Sequence, residues 1–146
     1  MIGTTLADVV FPWRAAVRVE RVSDSEQGIH VRARATAASA TCPGCGTTSR
    51  RVHARYQRRL AELPVGGRRV TIHLRVRRFV CVAPECALRT FAEQVPGLTA
   101  RYARASVALR RQWQTIAVAL AGRPGARLAA RSAIGESRST LLRLLR

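Results

Sequence analysis

Cys42-Pro43-Gly44-Cys45 and Cys81-Val82-Ala83-Pro84-Glu85-Cys86 are two short cysteine pairs separated by 35 residues. Each spacing lets one tight turn aim two sulfurs at a common point, and two such knuckles make a closed tetrahedral thiolate site for zinc. Four sulfurs complete the shell of the ion. The cofactor expected is therefore one structural Zn2+, with Cys42, Cys45, Cys81 and Cys86 as its ligands. A catalytic zinc keeps a position open for water, and nothing in this spacing supplies one. His30, His53 and His73 fall outside the shell and read as surface or core histidines; His53 and His73 could hydrogen-bond near the metal or touch phosphate.

Between the knuckles, Val70, Ile72, Leu74 and Val76 alternate with Arg69, Thr71, His73, Arg75 and Arg77. Strict period-two order of this kind is a half-buried strand with a basic exposed face. Its partner is residues 51–63, joined through Pro64-Val65-Gly66-Gly67, whose glycines permit a hairpin turn. Knuckle, strand, turn, strand, knuckle is the plan of a zinc ribbon. The antiparallel return brings the two cysteine pairs together, and the metal stabilises a two-stranded unit that is marginal alone. Upstream, Val17 and Val19, then Ile29, Val31 and Ala33, alternate with polar residues on either side of Ser23-Asp24-Ser25-Glu26-Gln27-Gly28, the pattern of another antiparallel hairpin.

After Pro96-Gly97 the periodicity changes. Leu109, Trp113, Ile116 and Leu120 fall at helical intervals and predict a helix over 106–121, with Trp113 in the core. Gly122-Arg123-Pro124-Gly125 reads as its stop. A short second helix is expected over 126–132, and Ser137 caps a third that carries Leu141, Leu142, Leu144 and Leu145. Two short helices around Ala133-Ile134-Gly135 look like a helix-turn-helix, whose second member would enter a major groove. The expected fold class is α+β: an N-terminal β-hairpin region (1–41), a zinc ribbon (42–95) and a helical, helix-turn-helix-like segment (98–146).

All 26 basic residues are arginine and only eight residues are acidic, for a formal charge of +18, which four thiolates and one zinc ion would lower by two. A field of this sign, spread along the chain, calls for a polyanionic partner. The choice of arginine over lysine is attributed to coding bias and not to base readout. Residues 1–10 lack the pattern of a signal peptide, and the best uncharged apolar run, 113–122, is far below the ~20 residues of a spanning helix. No membrane association and a cytoplasmic location are expected. A reducing compartment favours metal over disulfides for the cysteines.

Cys-Pro-x-Cys-Gly at 42–46, Arg51-Val52-His53, Leu63-Pro64, Arg77-Arg78-Phe79-x-Cys81, Cys86 and Phe91-x-Glu93 together resemble the N-terminal zinc finger of ISL-three family insertion-sequence transposases. The resemblance continues through Ala126-Arg127-Leu128-Ala129-Ala130-Arg131 and Ser137-Arg138-x-Thr140-Leu141-Leu142-Arg143. It implies binding of double-stranded DNA at the terminal inverted repeats of the element. In such transposases a following ribonuclease-H-like domain cuts and joins DNA with three acidic residues, and this chain is expected to lack that domain. Its two aspartates and six glutamates suggest no converging trio for two-metal chemistry, so the chain is not expected to be an enzyme. Ser132, Ala133 and Glu136 depart from the family pattern, Ala133 standing where the turn would take glycine. Either the helical part is loosely formed or the chain is a remnant of a longer transposase.

The candidate DNA contacts are Arg69, Arg75, Arg77, Arg127, Arg131, Arg138 and Arg143. Two other readings stand beside DNA binding. One is a regulatory zinc-ribbon module that forms a homo- or hetero-oligomer with a full-length transposase, with the Trp113 stripe facing the partner. The other is an RNA-binding zinc ribbon.

Overall fold

The structure is a computed structural model describing residues 11–120 and 122–145, with the Pro12 side chain left aside. The readings of residues 1–10 and of residue 121 as a helix end lie outside the described residues. A 3-10 turn, Pro12–Ala16, leads into β1 (Val17–Ser25) and β2 (Gly28–Ala35), the upstream hairpin expected from alternation. Two-residue strands β3 (Ala40–Thr41) and β4 (Thr48–Ser49) flank the first knuckle. The long pair β5 (Val52–Val65) and β6 (Arg68–Val80) runs antiparallel, and β7 (Thr90–Ala92) adds to the far end of β6.

Gly66 and Gly67 both have positive φ (57° and 73°), so they alone form the two-residue turn between Val65 and Arg68. Pro64 and Val65, read from sequence as part of that turn, instead extend β5 across an irregularity in the ladder, where a proline costs no pairing.

The hairpin β1–β2 does not stand apart from the ribbon. β2 pairs in parallel with β6, from Ile29 opposite Val70 to Arg34 opposite Arg75, giving the order β1-β2-β6-β5. This pairing carries the core: Val70, Ile72, Leu74 and Val76 turn inward against Ala33, Leu60, Val17, Trp13, Val95 and Leu98. Gly28 makes the junction possible. Its φ is 122°, and a Cβ there would lie 2.4 Å from the Arg69 carbonyl oxygen.

Downstream, α1 (Val107–Ala119), α2 (Arg123–Arg131) and α3 (Arg138–Arg143) enclose a second core of Leu109, Trp113, Ile116, Ala129, Ile134 and Leu141. Trp113 is buried, and its indole N–H donates to the Ile134 carbonyl at 2.8 Å. The idea that the Trp113 stripe faces a partner is therefore corrected, because the stripe packs against the chain's own α2 and α3; only Leu120 of that stripe is exposed. Ser106 caps α1 by accepting from the Leu109 amide at 3.0 Å, and Ser137 caps α3 by accepting from the Thr140 amide at 3.2 Å.

The second helix begins earlier than expected. Pro124 sits in its first turn, where its missing N–H is no loss, so the Gly-Arg-Pro-Gly stretch ends one helix and opens the next. Ala133 does take the left-handed conformation that glycine would suit, at φ 57°. Glu136 turns back on its own backbone and accepts from the Ser137 amide at 2.7 Å. No helix among the described residues is long and apolar enough to cross a membrane.

Candidate functional site

The two knuckles are the tips of two hairpins. β3 and β4 close the first, where the Cys42 amide donates to the Thr47 carbonyl and the Gly46 amide to the Cys42 carbonyl. β6 and β7 close the second, where the Cys81 amide donates to the Arg89 carbonyl. Beneath both lies a small core of Cys42, Phe79 and Phe91, the two rings stacked with centroids 6.0 Å apart. The β6–β7 hairpin was not anticipated from the sequence, because three residues of strand carry too short a pattern to read.

The four sulfurs all lie within 4.8 Å of one another, with Cys42 and Cys86 at 3.8 Å and Cys45 and Cys81 at 3.6 Å. Sulfurs about 2.3 Å from a tetrahedral zinc are about 3.8 Å from each other, so the quartet has the size the ion requires. A disulfide needs sulfurs about 2.05 Å apart and does not fit. The thiols differ electrostatically. The side chain and backbone of Thr47 hold Cys45 down at about 6. Cys81 is pushed up to about 12: the Ala83 amide pulls it down, but loss of water and the neighbouring sulfurs outweigh that pull. The quartet holds one structural Zn2+, whose binding would take the four sulfurs as thiolates and release their protons.

Residues 38–90 match the zinc-finger of the transposases IS204/IS1001/IS1096/IS1165. That stretch begins just before β3, ends on the first residue of β7 and contains all four ligands, so this part of the chain is a zinc ribbon similar to that of these transposases. Neither a curated protein nor a solved structure matches the chain.

The outward side of the sheet above this ribbon is assembled by register. Residues directly opposite one another share a face, so the pairings align cross-strand rows. Arg21, Arg32, His73 and Arg59 form one row across β1, β2, β6 and β5; Arg18, Arg34, Arg75 and Gln57 form the next; Arg55 lies opposite Arg77 beyond them. Glu20 is the counter-ion inside this field, 2.9 Å from Arg75 and 3.4 Å from Arg34. His73 sits between the arginines with its ring nitrogen 3.2 Å from that of His30. Burial first, then His30, Arg59 and Arg32, lower its pKa. His53 is exposed on β5.

The candidate arginines separate in space. Arg75 is in the rows just described. Arg77 is turned inward to Glu93, under the ring of Phe79, and the pairing raises its pKa. Arg69 is exposed at the start of β6, close enough to Gly135 that a Cβ there would lie 3.4 Å from its guanidinium. Arg127 and Arg131 are exposed on α2, and Arg138 and Arg143 on α3, where Arg143 donates to Thr140 at 3.2 Å. Single-strand alternation could not find Arg21, Arg32, Arg34, Arg55 and Arg59 as neighbours of Arg75. They lie on three other strands, β1, β2 and β5, and the pattern within a strand says nothing about which strand lies beside which.

Proposed function

We propose that this chain is a DNA-binding part of an insertion-sequence transposase, recognising double-stranded DNA at the terminal inverted repeats of the element. The observation that carries the reading is the set of arginine rows on the outward face of the sheet, which the zinc ribbon ties to the rest of the fold. Eight acids can neutralise at most eight of 26 arginines, so the excess charge needs an external polyanion, and phosphate is the partner a guanidinium fork fits best. In this reading residues 1–41 and the ribbon of 42–95 hold phosphates, chiefly through Arg75 and its row neighbours. The segment 98–146 acts as a helix-turn-helix, in which α3 presents Arg138 and Arg143 to base edges while Arg69, Arg127 and Arg131 contact the backbone. Arg77 serves by holding the sheet.

Strand cleavage is no part of this chain's role in the proposal. Glu93 is committed to Arg77, Glu20 to Arg75, Asp24 to Arg68, and Glu62 to the Ser106 hydroxyl. The setting is the cytoplasm, where reducing conditions keep four thiolates available to zinc.

A mobility-shift titration of the zinc-loaded chain against element-end and scrambled duplexes tests the reading. Engagement of about six phosphates gives a log-log salt slope near −5. Preference for the element end supports specific recognition, equal affinity for both overturns the specific part, and failure to bind any duplex overturns the whole. Preference for RNA in direct competition would replace the proposal with an RNA-binding ribbon.

A further inference from the structure

Tyr102 combines three properties that core packing does not explain. It is 86% exposed; its φ is 60°, in the left-handed region; and the Arg101 guanidinium lies 4.9 Å from the centre of its ring. The Ala103 amide donates to the Ala100 carbonyl at 3.2 Å, making residues 100–103 a turn with Tyr102 in third place, where positive φ favours glycine. A tyrosine held there carries strain for no gain in burial, and strain of this kind concentrates at binding sites.

The turn is also braced. Arg58, on the inward face of β5, donates to the Ala100 and Ala103 carbonyls at 2.9 and 2.7 Å, so the ring projects from a fixed base. Beside it runs a groove of about 1130 Å³ whose lining includes Tyr102, Arg101, Arg104, Arg78, Arg69 and Arg59. The acid among its lining residues, Glu62, is buried and hydrogen-bonded to Ser106 and to the Leu63 amide. Arg59 belongs to the outward arginine rows, so the groove's lining joins that surface to Tyr102 past the outer edge of β5, where Ala61 pairs with the backbone of Arg104 and Ser106.

We infer that Tyr102 stacks on an unpaired nucleobase of a DNA strand that leaves the duplex along this groove, with Arg59 and Arg104 following its phosphates. An exposed aromatic in a cationic channel is the combination that holds single-stranded nucleic acid, since every base has a face to stack and every nucleotide a phosphate. A fully paired duplex hides its base faces, so the ligand must carry unpaired nucleotides next to the double-stranded part. The inference rests on the DNA-binding reading above.

The test uses the full zinc-loaded chain and two DNAs of the same duplex sequence, one blunt and one with a short single-stranded extension containing 2-aminopurine. The wild-type chain should bind the extended DNA roughly five- to 150-fold more tightly than the blunt one, with altered 2-aminopurine fluorescence. Tyr102→Phe should keep that preference. Tyr102→Gly should abolish it while leaving blunt-duplex affinity unchanged and raising the melting temperature, because glycine relaxes the turn; loss of binding then cannot be misfolding. An extension preference that survives in Tyr102→Gly, or no preference in the wild type, overturns the inference and leaves duplex binding intact. Failure to bind either DNA overturns both readings.

Discussion

The Glu93 carboxylate, 1% exposed at its side chain, receives the Arg77 backbone amide and Nε–H at 3.0 Å each, and Nη2–H at 2.5 Å. The same guanidinium also donates to the Ala37 carbonyl and lies 5.0 Å from the centre of the Phe79 ring. Three segments of chain, before the first knuckle, on β6 and after β7, are thereby joined by one ion pair at the base of the zinc site.

Removing Arg77 leaves a buried carboxylate without its counter-charge. Arg77→Ala should therefore lower unfolding free energy by roughly 3–5 kcal/mol, read by denaturant titration. Arg75→Ala, which loses an exposed pairing with Glu20, should cost less than about 1 kcal/mol and instead flatten the salt dependence of DNA binding. Equal stability losses in the two variants would contradict this division.

Metal removal should unfold the ribbon, because zinc-site formation contributes on the order of 10 kcal/mol to domains of this kind. A strong chelator should abolish β-structure cooperatively, and zinc should return it. With Cys81 protonated in the metal-free quartet, zinc entry releases protons, so affinity should weaken as pH falls. Cys45→Ser and Cys42→Ser should both lose stoichiometric zinc. Cys42→Ser should be the less stable, since its hydroxyl would sit in the Phe79–Phe91 core.

Backbone conformation predicts opposite outcomes at two small residues. Gly28→Ala adds a left-handed alanine, costing on the order of 1–3 kcal/mol, and drives its Cβ into the Arg69 carbonyl. It should weaken the β2–β6 pairing and lower the melting temperature. Ala133→Gly relieves φ 57° and should stabilise by up to about 1 kcal/mol.

His73 predicts acid sensitivity. Burial and the nearby His30, Arg59 and Arg32 depress its folded pKa below 6.5, so the unfolded chain takes up its proton first. Its contribution is present above about pH 6.5 and is lost as pH falls below it. Thermal melts from pH 7.5 to 5.5 should show a shallower decline for His73→Gln than for the wild type, with zinc content monitored throughout. Parallel declines would refute it.

Much of the local structure was legible in the residues. Val70 to Val76 alternate so strictly that β6 and its buried face follow from pattern alone, and Ser106 and Ser137 mark helix starts because their hydroxyls satisfy amides that the helix leaves open. Pro64 and Pro124 misled in opposite ways, as proline suits a strand irregularity and a first helical turn as readily as it suits a turn or a stop. Arg77 looked like its neighbours Arg75 and Arg69. Glu93, 16 residues later and reached only through the second knuckle, determines its different environment.

By itself the sequence determined the metal, since four thiols at these spacings prescribe a closed sulfur shell, and the sign of the surface, since charge is a sum over residues. Only the tertiary structure decided that β2 lies parallel to β6, which arginines share a face, and that Tyr102 stands on a braced, left-handed turn. Those features depend on contacts between segments far apart in the chain, and alternation within one strand carries no information about the strand beside it.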